Sequence, residues 1–245
     1  MWESDSCLVV AAGLGHMDCV RYLVERCNTN IKEVGSVSTC KYHVSEASPV
    51  WPETLGGHLN IVKYLTSKGA CVSLPTYCNS SPLKVACSRR RLDMVKVLVQ
   101  NGADIEYTDH HPRTCRLLAC FKGHSELVNY LLGVGANLER KTLDGKRKHP
   151  LLAASRHGHD HIVEYLIARE DLISKEEGIN ALELLGTTFA EKRQDVAGAL
   201  KYWKLAMHER CVHSIPVKQD GSQMIFNQHF KEVTTPEQLE EFLGN

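Results

Sequence analysis

An all-α solenoid of about five helix-turn-helix repeats, followed by one longer helical pair, is the fold class that this 245-residue sequence predicts. Three observations predict it. Gly69-Ala70, Gly102-Ala103 and Gly135-Ala136 recur every 33 residues. Val20, Val62, Val95, Val128 and Val163 keep nearly the same beat, at intervals of 42, 33, 33 and 35 residues. A Gly-His pair returns at Gly15-His16, Gly57-His58, Gly123-His124 and Gly158-His159, and Arg90-Arg91 takes its place in the third unit. A fixed period of this length belongs to chains that stack one supersecondary unit on the next, each buried by its neighbours.

The stretch from Asn79 to Glu106 displays the unit. Ser81-Pro82 reads as a helix N-cap followed by proline at the first helical position, and Leu83, Val85, Ala86 and Cys87 supply a short apolar helix. Leu92, Met94, Val95, Val97, Leu98 and Val99 then spread apolar groups over both sides of a second helix, which two neighbours must cover. Gly102 ends it, because glycine accepts the left-handed conformation of a C-cap. A 33-residue helix-turn-helix with a T-P-L-like start and a G-H turn resembles the ankyrin repeat.

In chain order, the array is expected over residues 4–173. Repeat one runs from about Ser4 to Asn30, with helices near Leu8–Ala12 and Met17–Arg26. Leu8, Val9, Val10 and Val20 stand there with no polar cap before them, so that face is either exposed or covered by a partner. The 42-residue interval places about nine extra residues near 31–47, where Val, Tyr and Ser alternate as in a hairpin-like finger. Repeat two carries Trp51-Pro52 in its first helix, and proline is expected to shorten it. Repeat four puts Arg116 where the others have leucine or valine; its stem is expected to pack while its head reaches water. Repeat five follows the basic turn Lys146-Arg147-Lys148, a solvated loop or a weak nuclear signal. Over 174–211 the pattern lengthens into a tetratricopeptide-like pair, with Ala181, Leu182, Leu184 and Leu185 facing Ala199, Leu200, Trp203, Leu205 and Ala206. The remainder, 212–245, is polar apart from a short helix opened by Thr235-Pro236-Glu237-Gln238.

Twenty-nine Lys and Arg balance twenty-nine Asp and Glu, so no overall field favours nucleic acid or a membrane surface as partner. No apolar run approaches the ~18 residues of a membrane span, and the acidic start MWESDS does not read as a signal peptide. Ten cysteines contain no C-x-x-C pair. Cys19, Cys87 and Cys120 sit at apolar helix positions, which points to reduced thiols in a cytoplasmic or nuclear protein.

The segment ALELLGTTFAEKRQDVAGALKYWKLAMHERC, from Ala181 to Cys211, is similar to the helical pair after the ankyrin array of the fem-1 (feminization) family. So are NSSPLKVACSRRRLDMVKVLV, GSVSTCKYHVSEASPVW with its insertion, TCRLLACFKGHSELVNYLL and EVTTPEQLEEFL. The resemblance implies a substrate receptor of cullin-2 RING ubiquitin ligases. Such receptors hold C-terminal degrons, typically arginine-containing, on the concave ankyrin face and bind elongins B and C through a distal box. Three departures mark this chain. Thr39-Cys40 and Ser88-Arg89 stand where the family carries phenylalanine-aspartate pairs. The interval after Lys141 lacks one repeat. The end at Asn245 is expected to fall short of the elongin box, making this a divergent, truncated member. Opposite charges a few ångströms apart are worth about 4 kcal/mol at an effective dielectric of 20, so Arg89 in place of a carboxylate is expected to abolish arginine preference.

The candidate peptide-binding residues are Val44, Trp51, Ser80 and Arg89, the first three matching or nearly matching groove-lining family positions. Ser80 either bonds a peptide backbone or forms part of an ordinary pre-helix cap. Ser88-Arg89-Arg90-Arg91 is either a solvated turn or a cationic rim for an acidic peptide or a free C-terminal carboxylate. His157-x-His159-x-His161 has alternate spacing, but it lies on a helical turn, so no metal site is expected. No nucleophile motif, phosphate loop or H-E-x-x-H occurs, so neither catalysis nor a cofactor is expected. The function expected is protein or peptide capture for ubiquitination. The alternatives are a plain ankyrin scaffold and a degenerate, poorly folding fragment.

Overall fold

The computed structural model describes residues 6–38, 43–108, 114–135, 149–169 and 173–213, apart from the side chains of residues 37, 38 and 43. The short C-terminal helix, Thr39-Cys40 and the Lys146–Lys148 turn lie outside these. The described residues form an all-α ankyrin-repeat fold with one small hairpin. The chain divides into two compact units, residues 1–119 with 126–137, and 120–125 with 138–245.

Unit 1 is built from helix pairs: α1 (Cys7–Gly13) with α2 (Met17–Glu25), α3 (Val50–Gly56) with α4 (Leu59–Ser67), and α5 (Pro82–Ser88) with α6 (Leu92–Gln100). The first part of α7 (Cys115–Lys122) and nearly all of α8 (Ser125–Gly133) complete it. The five periodic valines of the chain are all fully buried, as the stacking period requires. Ser81 caps α5, its hydroxyl oxygen accepting from the Lys84 amide at 3.2 Å. The insertion folds into antiparallel strands β1 (Gly35–Ser38) and β2 (His43–Ala47), with Gly35 opposite Ala47 and Val37 opposite Val44. A finger turn leans on this hairpin, the Tyr77 amide donating to the Ser45 carbonyl at 3.1 Å.

Repeats are tied at the turn between their helices. The Arg91 guanidinium lies where a side chain on Gly57 would be, and its Nη1 donates to the Thr54 carbonyl at 3.1 Å. Gly57 adopts φ +94, so only glycine meets both the conformation and the close approach. His58 covers Gly15 in the same way.

Several expectations are corrected. Pro52 does not shorten α3, which has seven residues like α1 and α5, because it falls in the first turn, where amides lack an intrahelical acceptor. Leu8, Val9 and Val20 are buried, since β1, α2 and α3 pack around α1; only Val10 emerges, 38% exposed. Arg116 does not reach water. It is 2% exposed, with Nη1 3.9 Å from Glu106 Oε1, so charge pairing replaces solvation. Cys19 is exposed, whereas Cys87 and Cys120 are buried.

Unit 2 contains the end of α7, α9 (Pro150–Arg156), α10 (Asp160–Ile167), α11 (Lys175–Thr188), a π-helical turn (Phe189–Arg193) and α12 (Val196–Val212). A capping box between Ser174 and Glu177 starts α11. Arg193 repeats the tie, its Nη2 donating to the Gly158 carbonyl at 2.7 Å. Inside the α11–α12 pair, Glu183 and Arg210 form a buried ion pair, and Trp203 Nε1 donates to the Glu183 carbonyl at 3.3 Å. The indole of Trp203 fills the space a side chain on Gly186 would need. Leu200 and Leu205 do not face α11: both are 40% exposed, and Tyr202 and Met207 are buried instead. Ala199, Trp203, Ala206 and Arg210 recur at helical spacing on the buried stripe, which Leu200 and Leu205 miss. No helix among the described residues is long and apolar enough to cross a membrane.

Candidate functional site

The hairpin and the first helices of repeats two and three bring Val44 and Trp51 together. Trp51 packs with Val9, Ala47 and Val85, and Val44 and Leu55 close against that cluster. The indole is buried, yet its Nε1–H has no hydrogen-bond acceptor among the described residues. An unmet buried donor of this kind costs about 1–3 kcal/mol.

Ser80 and Arg89 occupy the two ends of α5. Ser80 closes the finger turn, its amide donating to Thr76 Oγ1 at 3.3 Å and its carbonyl accepting from the Thr76 amide at 3.1 Å. The cap of α5 is Ser81, and the half-buried Ser80 is left outside the helix. Arg89 follows α5, exposed, one helical turn beyond Val85, and makes no ion pair among the described residues. Seven helical residues separate the two ends by about 10 Å, the span of about three residues of extended peptide. The three arginines of this turn have different roles. Arg91 is committed to the Thr54 carbonyl, Arg90 adopts φ +57 in the place of the turn glycine, and Arg89 and Arg90 are exposed.

Glu53 was not singled out from the sequence. Burial is complete, neither carboxyl oxygen has a hydrogen-bond partner among the described residues, and desolvation pushes its pKa up to about 9. It is therefore protonated at neutral pH and supplies no negative charge to the neighbourhood of Trp51. The signal was present in the repeat pattern: four residues before each turn position, Ala11, Ala86, Ala119 and Ala154 stand where Glu53 does.

Cys87 and Cys115 are buried against each other; a thiol hydrogen bond between them, and then burial, push the Cys87 pKa up. In unit 2 the rings of His157 and His159 stack with centroids 6.2 Å apart, and His159 Nε2 lies 3.1 Å from the Phe121 carbonyl. Among the described residues, no group of three His, Cys, Asp or Glu side chains is placed to hold a metal ion.

Repeated helix pairs, period-locked valines and side chains seated over the Gly15, Gly57, Gly123 and Gly158 turns define an ankyrin-repeat protein, a class built for binding other proteins. The sequence agrees with that class: residues 48–109 and 113–189 match the family described as "Ankyrin repeats (3 copies)", and residues 4–34 match "Ankyrin repeat". Within it, the chain belongs to the fem-1 homolog family. It is 43% identical to a fem-1 homolog of Drosophila melanogaster over 266 aligned residues, covering 96% of this chain and 40% of the relative. It is 32% identical to mouse fem-1 homolog A-A over 302, covering 95% and 46%, and 44% identical to human fem-1 homolog C over 107, covering 42% and 17%. The chain thus spans less than half the length of these relatives. The two long alignments exceed its 245 residues, so both carry gaps in this chain.

Proposed function

We propose that this chain is the recognition part of a cullin-2 RING ubiquitin ligase receptor, capturing the C-terminal segment of a client protein along α3 and α5. The observation that carries the reading is Arg89, which ends α5 one helical turn beyond Val85 of the buried Val9–Ala47–Trp51–Val85 cluster. Arg89, exposed and without an acidic partner among the described residues, favours a carboxylate, which it can hold bidentately. Ser80, about 10 Å away along α5, offers a hydroxyl to the peptide backbone. With Glu53 neutral, no carboxylate there replaces those the family uses for a degron arginine. Ubiquitin transfer would be performed by other subunits; elongins B and C and cullin-2 are partners implied by the family resemblance, in the cytoplasm or nucleus.

The test is binding of the purified chain to a peptide library with free C-termini, comparing acidic with arginine-ending members and repeating with Arg89→Asp. Selective capture of acidic ends, lost on the reversal, supports a receptor of inverted specificity. Absence of selective binding by either protein sinks it. The Ser88-Arg89 departure would then leave a scaffold for protein association with no ligase link.

A further inference from the structure

The turn end of unit 2 gathers basic groups from three elements. Lys122 closes α7, Arg156 and His157 close α9, and Lys192 and Arg193 end the π-helical turn. Their contacts bring them to one place. The Phe121 and His157 ring centroids are 4.1 Å apart, Lys192 Nζ donates to the Arg156 carbonyl at 2.8 Å, and Lys122 Nζ lies 6.0 Å from the Phe121 ring centre. Arg193, over Phe189 at 4.4 Å and bonded to the Gly158 carbonyl, acts as a prop. Phe121, Lys122, Arg156, His157 and Lys192 are all exposed.

The positive charge here is not balanced. Lys122, Arg156 and Lys192 form no ion pair among the described residues. Three acids stand nearby against four cations: Asp160, which accepts from the Tyr202 hydroxyl at 3.4 Å, Glu191 in the π-helical turn, and Asp195, whose carboxylate is taken up in capping α12 by accepting from the Gly198 amide at 3.0 Å. His157 registers the excess. Burial first, then Lys192, His159 and Arg156, hold its pKa below the ordinary histidine value.

We propose that this face, Lys122, Arg156, His157 and Lys192 around the Phe121 ring, docks a short acidic segment of a partner protein. Carboxylates would supply the missing counter-charges, and the ring would take an adjoining apolar side chain. The basic groups converge on one turn and form no track, which fits a short peptide better than the extended phosphate path of a nucleic acid. The surface lies in unit 2, whereas Trp51 and Arg89 lie in unit 1, so the two readings stand or fall separately.

The experiment uses the full chain and a fluorescent hexaglutamate peptide blocked at both ends, so that no free C-terminus is present, at an ionic strength of about 50 mM. Saturable binding is expected, weakened about tenfold by Arg156→Gln, the loss of one charge-assisted hydrogen bond, and unchanged by Arg89→Asp. Arg156→Gln keeps the described contacts, because Lys192 bonds the backbone carbonyl at that position. Added negative charge should also raise the His157 titration midpoint, read by NMR of the ring protons. No binding, equal binding by Arg156→Gln and Lys192→Gln, an unmoved His157, or tighter capture of polyuridylate than of the peptide would each overturn the proposal.

Discussion

Replacing Glu53 with glutamine should change the pH dependence of stability in a defined direction. The carboxyl is 0% exposed, has no hydrogen-bond partner among the described residues, and titrates in the fold at about 9 against 4.5 in the unfolded chain. A raised acid pKa means that the folded state keeps its proton where the unfolded state loses it. The stability this group contributes is therefore fully present below pH 4.5 and falls as pH rises toward 9. At 1.36 kcal/mol per pH unit, three units inside that window, pH 5 to 8, remove up to about 4 kcal/mol; water penetration makes this an upper bound. Glutamine keeps the shape and the buried polar atoms but does not titrate. Urea unfolding of both proteins at pH 5, 6.5 and 8 checks the point, because all other titrations cancel in the difference. The midpoints should lie close together at pH 5 and diverge by pH 8, with Glu53→Gln the more stable. A difference that stays constant with pH would refute the reasoning and mean that Glu53 is ionised or solvated in the fold.

Gly57→Ala should cost at least about 1–2 kcal/mol in urea unfolding, because it adds a left-handed side chain where the Arg91 guanidinium lies; Arg91→His should be far milder, since His58 does the same work over Gly15. Glu183→Ala leaves Arg210 buried beside a lost partner and should destabilise the α11–α12 pair by about 3–5 kcal/mol in thermal melts monitored by Trp203 fluorescence. Leu8→Ala, at a fully buried position, should cost about 2–5 kcal/mol, whereas Leu14→Ala, at an exposed one, should stay within about 0.5 kcal/mol; equal effects would mean that the first repeat is not packed as described.

The valines, the Gly-His turns and the Ser81-Pro82 start were readable because each depends on residues within one helical turn or one repeat period. The hairpin was readable for the same reason, as alternation in a short insertion. The family resemblance singled out Val44 and Trp51 one by one; that they share one apolar cluster is seen only in the fold. Misreadings came where a helix face depends on its neighbour. Leu200 and Leu205 look like core by composition, but the side of α12 that meets α11 is set by Trp203 entering the gap at Gly186. Glu53 was visible as a break in an alanine column, but its charge state depends on burial from every side.

Taken alone, the sequence determines the repeat class, the order of the paired helices among the described residues, the place of the hairpin and the five valines buried at the repeat period. Its period encodes these directly, because near-neighbour packing is a local property of each unit. Only the tertiary structure decided that Arg116 is buried beside Glu106, that Glu53 is neutral, and that Arg91 and Arg193 bond the carbonyls of Thr54 and Gly158. Those outcomes join residues on successive elements, 37 positions apart for Arg91 and Thr54. Desolvation and hydrogen-bond geometry across such a gap are fixed by how the elements pack, which no single stretch of the chain contains.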